Sequence, residues 1–446
     1  MSKRFTSAAE KTAPQPSTAA VQRNKRHGTP TTILSLDLDI LCTIFSFLDM
    51  FDTVRCSLVC KFWNGIVWSR TLREFYERKV NDSSSSSSSF PSSSELNERT
   101  LGRVLRNVAM NQHRLALQKG VFHVDLWRGH STRVAQCRMK KGMVGTGVGD
   151  KVIRLWSLDS YKCIEEYSTP ETFPLVDFDF DESKIVGLIG TRLCIWRRNG
   201  KRSIFPSNEG KFGKGLCMRY IDHEAVVGCD DGTVRIFDMY SRSCSQIIRM
   251  HGAPITCLFF GEDQLILSGS ISGSITISDP SSVKQVTTLR SNDIRGIRTL
   301  CFNPSSQLLF AGSSFGYAYC WDLRTRRQLW DKRVSPSVVY SLHHLQNDTS
   351  TLAVGGIDGI LRFLNQDDGK IVSCCIMENK FQSSSGSIQR RKGRRLPDDT
   401  FENIQTIPTT ARPSITCLAV GMKKIVTTHN TNDIRLWKFK DNTFRL

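Results

Sequence analysis

The stretch "GDKVIRLWSLD", Gly149–Asp159, decides the fold. A turn is followed by alternating apolar and polar residues, and a bulky side chain stands six places beyond the turn aspartate, the period-two pattern of a half-buried strand. The arrangement recurs as "GTRLCIWRR", "DGTVRIFDM", "SGSITISDP", "FGYAYCWDL", "DGILRFLNQ" and "TNDIRLWKF". The bulky position is Trp156, Trp196, Phe237, Ser278, Trp321, Leu364 and Trp437, giving steps of 40, 41, 41, 43, 43 and 73 residues. The last step is one repeat plus the polar segment 377–412, which has little apolar content to drive folding and reads as a disordered basic insert. A repeat at this period is one supersecondary unit that hides its apolar faces only between neighbouring copies.

These segments resemble WD repeats over 120–446, and the resemblance implies an all-β, seven-bladed propeller of four-stranded sheets. "VFHVDLW", 121–127, precedes the first repeat without a partner, so it is expected as the outer strand of the last blade, pairing near 432–439. The resemblance also implies a buried structural tetrad of His130, Thr146, Asp150 and Trp156. A hydroxyl, a histidine and an aspartate suggest catalysis in isolation, but the repeat explains all three and no nucleophile-elbow motif accompanies them. His251 faces Ser278 where tryptophan is usual, a degraded copy of the network.

Residues 33–80 have a different periodicity. Leu41, Ile44, Phe45 and Leu48 recur at helical steps, as do Val54, Leu58, Phe62 and Ile66 with Val59 and Trp63 beside them. Asp52 reads as the N-cap of the second helix with Gly65 near its end, and Trp68, Leu72 and Phe75 suggest a third. A unit this small leaves roughly 40% of its unfolded surface exposed, so part of the apolar face must meet another chain. "LDLDILCTIFSFLDMFDTVRCSLVCKFW", Leu36 to Trp63, resembles an F-box, a small all-α three-helix domain. The resemblance implies docking on a Skp-family adaptor, and through it on a cullin-RING module, by Leu36, Ile44, Phe45, Leu48, Val59, Cys60 and Trp63. Asp37 departs from the family, where proline is usual.

Between the two regions, 81–94 is a Ser-rich flexible linker. Residues 95–119 form a linker helix, with Leu101, Leu105, Val108 and Leu115 near helical spacing and Ser92 with Glu95 as a capping box. In related ligase receptors such a helix sets the distance between the ends.

The chain carries 61 basic and 42 acidic residues, a net charge of +19. The basic residues concentrate in a disordered tail, 1–32, and in "QRRKGRR", 389–395, where a nuclear address and a binding patch are both open. Nucleic acid is the less expected partner, because no strand interleaves aromatic and basic residues for base stacking. The fifteen cysteines lack a disulfide-like spacing and read as free thiols, so no metal or cofactor is expected. No run approaches a membrane span and the N-terminus is not signal-like, so nucleus and/or cytoplasm is the expected location.

WD propellers present partners on the face carrying the loops into each innermost strand. Aligning those strands by alternation gives the ring Ala135, Asp177, Cys217, Thr256, Arg298, Tyr340 and Thr416. The residues before the strand turns (Gly149, Ile189, Asp230, Ile271, Ser314, Ile357, Asn430) include no base, so a strongly phosphate-dependent target is disfavoured. The expected pocket for an unidentified protein substrate uses Arg298, Arg133 and Tyr340. The leading reading is a non-catalytic substrate receptor of an SCF-type ubiquitin ligase. The alternatives are docking on a propeller-built cullin adaptor through Trp321-Asp322-Arg324, and a basic scaffold for RNA or chromatin.

Overall fold

The computed structural model of the chain describes residues 33, 36–48, 50–82, 97–149, 151–169, 174–198, 202–204, 213–281, 284–290, 295–385, 388–396, 407 and 412–440. It divides into two compact units, Met1–Arg106 and Asn107–Leu446. The expectations for the tail 1–32, for residues 83–94 of the Ser-rich linker, for the Ser92/Glu95 capping box of the linker helix, and for Asp150 lie outside the described residues.

In the first unit, helix α1 (Leu38–Ser46) starts at Asp37, whose carboxylate accepts the Leu38 N–H at 2.8 Å. Where the family usually carries proline, this chain has a side chain that caps the helix. Helix α2 (Met50–Cys56) begins two residues before Asp52, so Asp52 is not its N-cap; it lies in the first turn, ion-paired with Arg55 at 2.7 Å. The apolar stripe expected to run through Gly65 in one helix breaks at residues 57–60, because Cys60 is extended (φ −157°, ψ 164°). Its thiol accepts the Trp63 N–H and caps α3 (Lys61–Ile66). Gly65 ends nothing: α3 passes through a π-helical turn, Val67–Thr71, straight into α4 (Leu72–Asp82). Leu41, Phe45, Ile66, Val67, Leu72 and Tyr76 form the core together with Leu101 and Leu105 from α5 (Glu98–Lys119). Asn97 starts α5 by accepting the Thr100 N–H at 2.9 Å.

The second unit is built of antiparallel sheets, propeller-like in arrangement. Five have four strands each, formed by chain-consecutive strands between residues 134–168, 175–204, 215–249, 255–290 and 297–333. The sixth has nine strands: Val339–His343, Thr351–Gly356, Leu361–Asn365, Ile371–Ser385, Ile388–Leu396, Val121–Arg128, Asp433–Lys440, Lys424–Thr428 and Cys417–Gly421, in that spatial order. The first strand of each four-strand set neighbours that of the next, and the cycle closes where Cys417–Gly421 lies beside Val134–Lys140. Apolar faces are buried between successive sheets, as where Val186, Leu188 and Ile195 meet Met218 and Tyr220.

Val121–Arg128 pairs with Asp433–Lys440 as its alternation suggested, Val124 opposite Trp437. It is not an outer edge, however, because Ile388–Leu396 pairs along its other side. This corrects the disordered reading of 377–412 for residues 377–385 and 388–396, which form a hairpin. The segment folds through charge pairing. Asp125 is fully buried on Val121–Arg128 and takes the Arg390 guanidinium at 2.7 Å and the Lys438 ammonium at 3.3 Å. Gly393 is required by packing, since a Cβ there would stand 1.9 Å from the Phe122 ring.

Residues 107–119 of α5 are anchored within this unit. His113 is fully buried and accepts the Lys423 N–H at 3.0 Å, while Arg114 meets the buried Asp348 at 3.3 Å. Burial pushes the His113 imidazole down to about 4 against the pull of Asp348, so it is neutral at pH 7. All fifteen cysteines are free.

Candidate functional site

The N-terminal helices divide their apolar residues between two jobs. Phe45 is wholly buried and stacks edge-on to Trp63, ring centroids 5.1 Å apart. Leu36, Leu48 and Trp63 are half-buried against the same core, and Cys60 is occupied as a helix cap. Of the residues expected to face a partner, only Ile44 and Val59 are exposed. The structure adds others that the stripes had concealed. Phe47 is 85% exposed and Leu58 81%, with Leu38, Ile40 and Phe62 also open to solvent. On α1, Ile40, Ile44 and Phe47 follow four- and three-residue steps on the face away from Leu41 and Phe45. Leu58 and Val59 lie in the turn before α3, and Phe62 in its first turn beside the inward Trp63. The signal was in the sequence, because a helix apolar on both faces cannot bury both.

In the second unit, the sheets place Arg298 and Tyr340 on neighbouring first strands, Ile297–Asn303 and Val339–His343. Each is the extra residue of a β-bulge, between Ile297 and Thr299 in one strand and Val339 and Ser341 in the other. Arg298 is exposed and Tyr340 half-buried; exposed Arg133 precedes Val134–Lys140, two strands further round the cycle. The same bulge falls at Ala135 and Thr256, but in two strands it falls at Val176 and Leu216. The ring positions assigned to Asp177 and Cys217 are therefore one residue out, which turns both side chains elsewhere. Asp177 is buried and accepts from Arg138 at 3.0 Å, Arg219 at 3.4 Å and the Met218 N–H at 3.1 Å, linking three first strands. Ile271 and Ile357, two of the residues before the strand turns, are exposed near the same strand ends together with Phe315, which adds an apolar component there.

Three members of the expected tetrad meet. Thr146 Oγ1 receives the Trp156 indole N–H at 2.7 Å and lies 2.8 Å from His130 Nε2. His130 Nδ1 lies 2.8 Å from the Arg154 guanidinium, which also pairs with Glu166. These contacts tie the strands of the sheet to the segment that carries His130. Trp437 and Thr427 repeat the pattern with His429, which comes from the turn after Lys424–Thr428 instead of from a Gly-His loop. Trp321 is buried, and Arg324 folds back on Asp322 at 3.1 Å. Among the described residues no cluster of His, Cys, Asp or Glu could hold a metal ion, and no helix is long and apolar enough to cross a membrane.

Residues 33–75 match the F-box domain family. An F-box/WD-40 repeat-containing protein of Arabidopsis thaliana is 51% identical over 444 residues, covering 94% of this chain and 97% of that one. The chain belongs to the F-box/WD-40 repeat proteins. More distant similarity is confined to parts of the chain. Angio-associated migratory cell protein of Homo sapiens is 24% identical over 52% of this chain and 57% of its own length. Guanine nucleotide-binding protein subunit beta-like protein 1 of Mus musculus is 25% identical over 29% and 42%. In this F-box/WD-40 chain the exposed apolar residues of the first unit and the bulged strand ends of the second are both open to solvent among the described residues.

Proposed function

We propose that this chain is the target-binding subunit of an SCF-type ubiquitin ligase. Its F-box docks on a Skp-family adaptor, and a seven-bladed propeller binds a protein target. Seven blades follow if the nine-stranded sheet is two four-stranded blades joined by Ile388–Leu396. The observation that carries the proposal is the set of apolar side chains left in water by an F-box, above all Phe47, Leu58 and Val59. So small a domain bears the cost of exposing them only if a partner covers them. Ubiquitin transfer is then accelerated by holding target and ligase together, without a catalytic residue in this chain. Arg298, Arg133 and Tyr340, with exposed Ile271, Phe315 and Ile357 nearby, form a mixed surface for the target.

The test is capture of purified Skp-type adaptor by the full chain, with Leu58→Glu and Phe62→Glu as probes. Stoichiometric capture by the parent chain, abolished by both substitutions, supports the proposal. Capture of a propeller-built adaptor alone would move the assignment to Trp321-Asp322-Arg324, and capture of neither would overturn it. Arg390 and Arg395 are engaged inside the fold, which favours residues 1–32 over 389–395 as a nuclear address; a reporter fused to 1–32 tests that assignment.

A further inference from the structure

The cycle of sheets closes where Val134–Lys140 lies beside Cys417–Gly421, and each of these strands brings one cysteine to the seam. Cys137 and Cys417 are 280 residues apart in the chain, yet the Cys417 thiol sulfur lies 3.4 Å from the Cys137 carbonyl oxygen. The Cys137 thiol in turn points to the Val426 carbonyl at 3.9 Å, on the strand next to that of Cys417. Both residues are buried in the same apolar cluster, which joins the first sheet to the last.

The surroundings make these two thiols unequal. The Arg138 guanidinium stands 3.8 Å from the Cys417 sulfur, and its bond to Asp177 at 3.0 Å fixes it there. A fixed cation beside a thiol favours the thiolate, which is the reactive form. The hydrogen bond from the Cys137 thiol pulls Cys417 below the usual thiol range; burial opposes this and Arg138 adds to it. The same hydrogen bond, with burial, pushes Cys137 well above that range. A lowered thiol next to a raised one is the arrangement of an attacking sulfur and a resolving sulfur. The Arg138 side chain keeps 16% of its exposure, so water and solutes of similar size reach the guanidinium that touches Cys417.

We propose that Cys137 and Cys417 are a site of reversible oxidation, at which hydrogen peroxide forms a disulfide that staples the ring closure. The Cys417 thiolate attacks one peroxide oxygen; a sulfur–oxygen bond forms, the oxygen–oxygen bond breaks, and the departing hydroxide takes the proton that Cys417 gave up. The Cys137 thiol then attacks the sulfenic sulfur. A sulfur–sulfur bond of about 2.0 Å forms, the sulfur–oxygen bond breaks, and a second water leaves with the Cys137 proton. The two sulfurs lose two electrons and the peroxide gains them; a dithiol reductant reverses the change. A link between such distant residues stabilises the ring mainly by restricting the unfolded chain. The site stands apart from the F-box and from the Arg298–Tyr340 surface, and the inference does not depend on ligase function.

The test treats the full chain with hydrogen peroxide, alkylates the remaining thiols without reduction, and maps the digest by mass spectrometry. The expected product is a peptide pair joined through Cys137 and Cys417, lost again on treatment with dithiothreitol. Its formation should raise the melting temperature by about 5 °C. Cys137→Ala should give neither the link nor the rise, and its Cys417 should be trapped as a sulfenic acid by a cyclic dione. Peroxide that oxidises the exposed Cys163 while leaving Cys137 and Cys417 unlinked overturns the proposal. So does a map in which either residue is joined mainly to a third cysteine. Should Cys137→Ala fail to fold, the map of the parent chain decides alone.

Discussion

The Arg395 guanidinium donates to the carbonyl oxygen of Leu117 at 2.8 Å, and its other nitrogens reach Ala116 and Gly120 at 3.0 and 2.7 Å. A residue from the inserted hairpin therefore satisfies the Leu117 carbonyl at the end of α5, joins the Gly120 N–H on the Ala116 carbonyl, and takes the Gly120 carbonyl just past the helix. A cation at a helix C-terminus also complements the helix dipole.

Arg395→Ala should lower stability by about 2 kcal/mol, the range for hydrogen bonds made by a charged group. Lysine, a point charge without the planar fork, should recover only part of it. Thermal melts measure the loss, and amide exchange should rise at residues 115–120 before it rises elsewhere.

Asp125 is the buried hub that keeps Ile388–Leu396 folded. Burial alone would push its carboxyl up, but hydrogen bonds from Arg390 and Tyr161 outweigh it and hold it below the usual carboxylate range. Asp125→Asn should cost on the order of 3 kcal/mol, because Arg390 and Lys438 then face an uncharged amide. Proteolysis within 377–396, slow in the parent chain, should become fast.

The two faces of α1 and α3 should separate cleanly by mutation. Phe45→Ala removes a fully buried ring and should destabilise the first unit by about 3–5 kcal/mol. Leu58→Glu and Phe62→Glu should leave the melting temperature within about 1 °C while abolishing adaptor capture, since surface changes of this kind stay near ±0.5 kcal/mol. Loss of folding in Leu58→Glu would contradict the exposed placement of that residue.

Stability should also fall as pH drops from about 6.5 to about 4. His113 has its folded pKa depressed to about 4 by burial, whereas the unfolded chain takes up the proton near 6.5. In that window the unfolded state binds more protons, so acid favours unfolding by up to about 1.4 kcal/mol per pH unit. Denaturant midpoints measured across the window should decline in the parent chain and flatten in His113→Gln.

The sheet region was legible because each repeat must present the same marker to its neighbours, so Trp156, Trp196, Trp321 and Trp437 carry the period openly. The F-box was legible from paired stripes at helical spacing. Two things were not. Bulges shift alternation by one residue without changing residue types, so Asp177 and Cys217 passed for ring positions that belong to Val176 and Leu216. The hairpin lay hidden because its charge partner is remote: Arg390 meets Asp125 across 265 residues, a separation invisible to any local pattern. Low apolar content signals disorder only when charges have nowhere buried to go.

Val121–Arg128 is flanked on one side by residues 433–440 and on the other by 388–396. During synthesis it leaves the ribosome roughly 310 residues ahead of its final neighbour, a wait on the order of 15–60 s at bacterial-to-eukaryotic elongation rates. Both its edges stay bare until residues 388–396 emerge, and the second edge until 433–440 follow, so truncation ahead of residue 433 leaves the first-made strand of the sheets without its longest-paired neighbour.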